Sequence, residues 1–178
     1  MAVTIDEILK KIDSTSVPKV KKCAIAYSGG LDSTLGIELL RRVYQAEEII
    51  AICVDVGQGD EEMQLGISRA QQLQIEPLII DAKAEFSEGW LKKAIQANSD
   101  YNGYPVSTSM TRQLIAKIIA KKAVELGCDS ILEGSTGRGN DQYRMHNVFK
   151  MFGPELAIFA PVRDFDLTRK EELILCEH

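Results

Sequence analysis

Two periods of apolar residues alternate along the chain. Short continuous apolar runs at 23–27, 49–54, 77–80, 130–133 and 157–162 read as buried strands. Between them, apolar residues recur three and four apart, the spacing of an amphipathic helix: Leu31, Leu35, Leu39 and Val43 over 31–45, then Met63, Ile67, Ala70 and Leu73, then Phe86, Trp90, Ala94 and Ile95. The longest helix is predicted from about Ser109, carries Leu114, Ile115, Ile118, Ile119 and Leu126, and stops at Gly127, a natural residue just past a helix end. Ahead of the first strand, Thr4 and Glu7 form a capping-box pair on a short helix with Ile5, Ile8, Leu9 and Ile12 on one face, broken over 14–22 around Pro18. Near the other end Thr168 caps a helix through Glu171, Glu172, Leu173 and Leu175. Residues 98–107 are polar, turn-rich and aromatic, and no regular element is expected there.

Strands alternating with helices imply an α/β fold, a doubly wound five-stranded parallel sheet covered on both faces. The expected strand order is 3-2-1-4-5, with ligands bound beyond the carboxyl ends of the strands. Ser28, Val54 and Gly134 lie at those ends. Residues 1–22 form a helical lead-in and 23–178 one domain, long enough to bury about 70% of its unfolded surface.

The first strand runs into Ser28-Gly29-Gly30 and directly onto a helix. Two glycines let the backbone turn sharply and approach a ligand with no Cβ in the way. Free amides and the positive end of the helix dipole favour phosphate at such a place, and Ser28, Ser33 and Thr34 add hydroxyl donors. Leu31 stands where the common nucleotide loop needs a lysine, so this is a different phosphate loop. The plainer alternative is a tight turn in which Asp32 and Ser33 cap the helix. Ser-Gly-Gly-Leu-Asp-Ser resembles the pyrophosphate-binding loop of the ATP pyrophosphatases, which cut ATP between its α and β phosphates.

Composition narrows the classes. A net charge of −5 with no gathered Lys and Arg argues against a nucleic-acid surface. Four cysteines without close spacing read as reduced core residues, and with only His146 and His178 as imidazoles no protein metal site is expected. The apolar runs are too short to span a membrane and no signal peptide opens the chain, so a cytoplasmic protein is the expectation.

A second constellation follows the fourth strand. Residues 134–144 set three glycines among Asn140, which can donate and accept, Asp141, which can hold an ammonium, and Arg144, which can pair with a carboxylate. A loop of this kind either surrounds a small polar ligand or is simply a surface loop.

Five stretches, taken together and in order, resemble the argininosuccinate synthase family: Ala26-Tyr27-Ser28-Gly29-Gly30-Leu31-Asp32, Val56-Gly57-Gln58, Tyr104-Pro105-Val106-Ser107-Thr108-Ser109, Thr136-Gly137-Arg138-Gly139-Asn140-Asp141-Gln142 and Asp166-Leu167-Thr168-Arg169. The likeness runs from about Cys23 to the last residue. It implies a Rossmann-like HUP fold of the adenine nucleotide alpha hydrolase type, and a ligase that joins citrulline to aspartate through citrullyl-AMP, with ATP and Mg²⁺ and release of AMP and pyrophosphate. By the resemblance Ala26, Tyr27, Ser28, Gly29, Gly30, Asp32, Ser33 and Thr34 line the ATP phosphates, Val54 touches the adenine side and Gly134 continues the nucleotide site. Tyr104, Ser109, Asn140 and Arg144 correspond to citrulline contacts, and Thr136, Asn140 and Asp141 to aspartate contacts. Asp32, Asn140 and Arg144 are the residues expected beside the reaction itself. Its chemistry is alignment and charge screening, and no strong base is demanded.

The chain departs from the family's pattern in several places. It has Asp32-Ser33-Thr34 where Asp-Thr-Ser is usual, Glu133 in place of a histidine and Arg138 in place of a lysine. The helix at 4–13 is an addition, and the second domain, which completes the citrulline site and builds the homo-oligomer, lies beyond this length. Two other readings compete: an ATP pyrophosphatase that adenylates a different substrate, in sulfur transfer or amidation, and a nucleotide-binding module without catalysis.

Overall fold

In the computed structural model, which describes residues 4–13, 17–137 and 139–177, five strands run parallel in one sheet. In chain order the strands are β1 (Lys22–Ala26), β2 (Glu48–Asp55), β3 (Leu78–Asp81), β4 (Asp100–Tyr101), β5 (Tyr104–Pro105), β6 (Ser130–Leu132) and β7 (Ala157–Phe159). The helices are α1 (Ile5–Asp13), α2 (Leu31–Arg42), α3 (Asp60–Gln72), α4 (Lys92–Gln96), α5 (Ser107–Glu125), α6 (Asp141–Phe152), α7 (Pro161–Asp164) and α8 (Arg169–Glu177). Sheet order is β3-β2-β1-β6-β7, the expected 3-2-1-4-5 once the small β4-β5 hairpin is set aside. The break expected at 14–16, the arginine at 138 and the chain's last residue lie outside the described residues.

Alternation along each strand divides the core in two. Cys23 and Ile25 of β1, with Leu132 of β6, face a layer made by α1, α2, α3, α7 and α8. Ala24, Ile52, Val54 and Ile131 point the other way, onto α5, α6 and Phe86. Both faces are therefore apolar, which is why these strands read as continuous hydrophobic runs. Ile8 and Ile12 of α1 are buried in the first layer, and the capping box holds α1's start: the Thr4 amide donates to Glu7 at 3.0 Å and the Glu7 amide to the Thr4 hydroxyl at 3.4 Å.

The structure corrects several expected boundaries. Residues 98–107 are not wholly irregular, because Asn102 and Gly103 take positive φ (52° and 79°) and close a two-residue hairpin between Tyr101 and Tyr104. The apolar run at 157–162 is cut after Phe159, since Pro161 opens α7 at a position where a missing amide costs nothing. Helix α6 was not expected; Met145, Val148, Phe149 and Phe152 carry its helical spacing, and all four pack in the second layer. The predicted helix around Phe86 begins as a π-helical segment, Glu85–Leu91, before α4. Of the four cysteines, Cys23, Cys53 and Cys128 are buried and free, as expected, but Cys176 is exposed. No helix among the described residues is long and apolar enough to cross a membrane.

One polar group sits badly in this core. Glu133, just past β6, is only 1% exposed. Its Oε2 accepts from the Ser135 hydroxyl at 3.0 Å, while Oε1 has no partner among the described residues. Burial, partly offset by the Ser135 hydrogen bond and Arg163, pushes its carboxyl up from 4.5 to about 7. An acid whose folded value is raised stabilises the fold while protonated, in full below the unfolded value, and that contribution is lost as pH climbs to the folded value. Stability should therefore fall by up to roughly 3 kcal/mol between pH 4.5 and about 7 on account of this group. E133Q should remove that slope in urea denaturation followed from about pH 5 to about pH 8; an unchanged slope would clear Glu133 of the effect.

Candidate functional site

The carboxyl ends of β1, β2 and β6 open into one cleft of about 960 Å³. Its floor is the turn from β1 into α2. Gly30 is the residue that flanks the helix start, in extended geometry (φ −75°, ψ 171°), and no side chain caps it. Asp32 and Ser33 are thus not capping residues. The serine and threonine hydroxyls brace the loop instead. Ser33 and Thr34 donate to the Gly30 carbonyl at 3.1 and 2.8 Å, and the Gly30 amide donates to Ser28 Oγ at 3.3 Å. With its first-turn amides uncapped, α2 presents unsatisfied donors and the positive end of its dipole to the cleft, the arrangement of an anion site.

Helix α3 fixes the loop from above. Gly29 has φ +74°, and a Cβ there would lie 2.4 Å from the Gly66 Cα, so the two backbones touch with no side chain between them. Tyr27 donates its hydroxyl to the Gly66 carbonyl at 3.1 Å, and Arg69 donates to the Gly29 carbonyl at 2.6 Å. Burial raises the Tyr27 hydroxyl above its ordinary value and keeps it a donor. On the far side Gly134 comes against the loop: a Cβ on it would be 3.2 Å from Asp32 Cβ and 3.7 Å from the Ser33 amide nitrogen. Asp32 in turn is paired with Arg169, at the start of α8.

Beyond β2 the chain turns through 56–59. The Gln58 side chain accepts from the Val56 amide at 2.9 Å and donates to the Val54 carbonyl at 3.2 Å, which shapes the wall beside Val54. Next to it Asp55 is held below the usual carboxylate range, chiefly by the Lys83 ammonium that donates to it at 2.6 Å.

Facing the turn at 28–34 is the segment after β6. Gln142 donates to the Gly137 carbonyl at 3.0 Å and folds the glycine turn back on α6. The Asp141 carboxylate is bridged by two guanidiniums, Arg112 of α5 at 3.2 Å and Arg144 of α6 at 3.1 Å. His146, one helical turn further on, has an unpartnered buried Nδ1 among the described residues and, chiefly through burial, a lowered pKa.

Of the residues singled out in the sequence, Ala26, Tyr27, Ser28, Gly29, Gly30, Asp32, Ser33, Val54, Gly134, Thr136 and Asp141 line this one cleft. Thr34 braces the loop from within the helix. Tyr104, Ser109, Asn140 and Arg144 stand outside the lining, and Tyr104 is 65% exposed on the β4-β5 hairpin. The loop at 28–34 and the segment at 134–141 nevertheless meet across the cleft, as the strand order requires. Sequence reasoning missed Gly66, Arg69 and Arg112, which also line it, and the Arg169 and Glu172 pair behind Asp32. Gly66 and Arg69 share a face of α3, a signal that exists in the sequence only once the loop's own position is known.

Residues 22–178 match the family profile described as arginosuccinate synthase N-terminal HUP domain. Among curated relatives, argininosuccinate synthase of Methanocaldococcus jannaschii is 42% identical over 150 residues, covering 84% of this chain and 38% of that protein. The argininosuccinate synthase of Synechococcus elongatus is 41% identical over 159 residues, covering 87% and 39%. The chain thus spans under two fifths of the length of these relatives. Among solved structures, a predicted subunit of tRNA methyltransferase from Methanocaldococcus jannaschii superposes with a TM-score of 0.63 at 16% identity, covering 89% of this chain and 75% of that one. A U34-tRNA thiolase from Methanococcus maripaludis gives 0.62 at 21% identity, covering 97% and 62%. Those two likenesses are of fold alone. The family match over 22–178 decides the relationship, and the chain belongs to the argininosuccinate synthase family, spanning its N-terminal HUP domain.

Proposed function

We propose that the cleft binds ATP and that the chain is the nucleotide-binding part of a ligase that activates citrulline as citrullyl-AMP for attack by aspartate. The observation that carries this reading is the uncapped start of α2, set in a glycine loop and facing Asp141 with its two arginines across a single cleft. A polyphosphate suits the first side, and an amino acid with its own ammonium and carboxylates suits the second. On this reading the triphosphate lies over residues 28–34, the adenine against Val54, and the α-phosphorus toward Gly134 and Thr136.

The chemistry asks for little beyond placement. The ureido oxygen of citrulline forms a bond to the α-phosphorus while the bond to the pyrophosphate breaks, and the aspartate amine then displaces AMP from the activated carbon. Asp141 and Thr136 would orient the aspartate; Asn140, just before α6, Arg144 in its first turn, Tyr104 and Ser109 would hold citrulline from one side. Mg²⁺ would come with the nucleotide, held through phosphates, water and one or two carboxylates, and Asp32, which lines the cleft in the first turn of α2, is the carboxylate that would hold it. Bound there, the ion would screen the charge of the leaving pyrophosphate. The buried free thiols suit a reducing compartment such as the cytoplasm.

Two glycines in the loop separate binding from folding. A Cβ on Gly30 has only Ser28 Oγ within 4 Å, at 3.4 Å, so G30W should fold yet fill the phosphate cradle and abolish ATP binding in calorimetry. G29A drives a methyl into Gly66 and should lower the melting temperature. Unchanged ATP affinity in G30W would remove the phosphate assignment.

The chain alone should make little argininosuccinate. With four citrulline residues outside the cleft lining, half a pocket aligns the nucleophile poorly, and a misplacement of about 1 Å costs roughly a hundredfold in rate. Incubation with ATP, Mg²⁺, citrulline and aspartate reads this through argininosuccinate and pyrophosphate. Turnover matching that of a two-domain relative would show that no further domain is needed, and pyrophosphate without argininosuccinate would point to adenylation of a different substrate.

A further inference from the structure

We propose that Arg169 and Glu172 of α8 are positioning residues for the phosphate loop, gripping Asp32 from behind and setting, through it, how strongly the loop binds a polyphosphate. The inference rests on the ATP reading of the cleft.

Asp32 lies in the first turn of α2, where a carboxylate is favoured by the same dipole that favours phosphate. Carboxylate and phosphates would repel one another at that spot unless a cation stands between or behind them. Arg169 supplies that cation: its Nη1 donates to Asp32 Oδ1 and, at 3.2 Å, to Glu172 Oε2. Glu172 is 2% exposed and lies within hydrogen-bond reach of Asp32 itself. Gly134 closes the other side of Asp32. The carboxylate is thus confined between β6's exit and α8, and its backbone carries amides of the anion site.

Glu172 holds Arg169 from its other side, at 3.2 Å, and is itself buried, so the guanidinium is kept on Asp32 although its own side chain is largely exposed.

Calorimetry of the chain with ATP, and with inorganic tripolyphosphate, tests this. R169M should weaken binding about tenfold, but by under about twofold when the Asp32 charge is already removed in D32N. R169K, which keeps a cation on Asp32, should recover most of the loss, so the comparison stands even where R169M loosens α8. An R169M penalty equal in both backgrounds, or an R169K variant as weak as R169M, would reduce α8 to packing and overturn the inference. A wild-type chain that binds neither ligand would sink the ATP reading and this inference with it, whereas binding without coupling sinks the inference alone.

Discussion

The contact on which the site depends is backbone against backbone, Gly29 on Gly66. With no Cβ on either, the turn out of β1 seats itself on α3, and every other feature of the cleft is referred to that seat. Tyr27 and Arg69 pin the two segments together through carbonyls, so the loop is held by α3 as well as by its own helix. Its hydroxyls turn inward to Gly30, and its amides remain open.

Strand order and the two-sided core were legible because burial of both sheet faces writes itself as apolar runs, and β1 between β2 and β6 follows from the crossover rules. The glycine turn from β1 into α2 was legible for a similar reason: two glycines at a strand-to-helix junction mark a sharp turn. Helix α6 escaped because its spacing at 145, 148, 149 and 152 follows directly on a glycine-rich stretch whose polar residues drew the reading toward a loop. The hairpin at 100–105 escaped because two-residue strands leave no run to detect, although Asn102-Gly103 is a strong turn signal by itself.

What the sequence could not reveal was pairing across distance. Arg112 and Asp141 are separated by 29 positions and Asp32 and Arg169 by 137, and neither pair has a periodic signature. Such pairs are set by how α5 meets α6 and how α8 meets α2, which are results of packing. The family likeness supplied Asp32, Asp141, Arg144 and Arg169 individually, but neither their pairing nor Arg112.

Those pairs decide how the cleft meets a charged ligand. Asp32 is engaged by Arg169, Asp55 by Lys83, and Asp141 by Arg112 and Arg144. A bare carboxylate at the mouth of an anion site would oppose phosphate, and a bare guanidinium opposite it would hold phosphate indiscriminately. With each already partnered, an incoming group must take over a partner instead of filling a vacancy. An ammonium can replace a guanidinium on Asp141, and the freed guanidinium can then take the carboxylate of the same ligand. A molecule with only one of those charges completes half of that exchange and leaves one buried-side group without its partner. On the function proposed above, discrimination would lie in these ion pairs as they stand before any ligand arrives, because an α-amino acid would satisfy both steps where a simple anion or amine satisfies one.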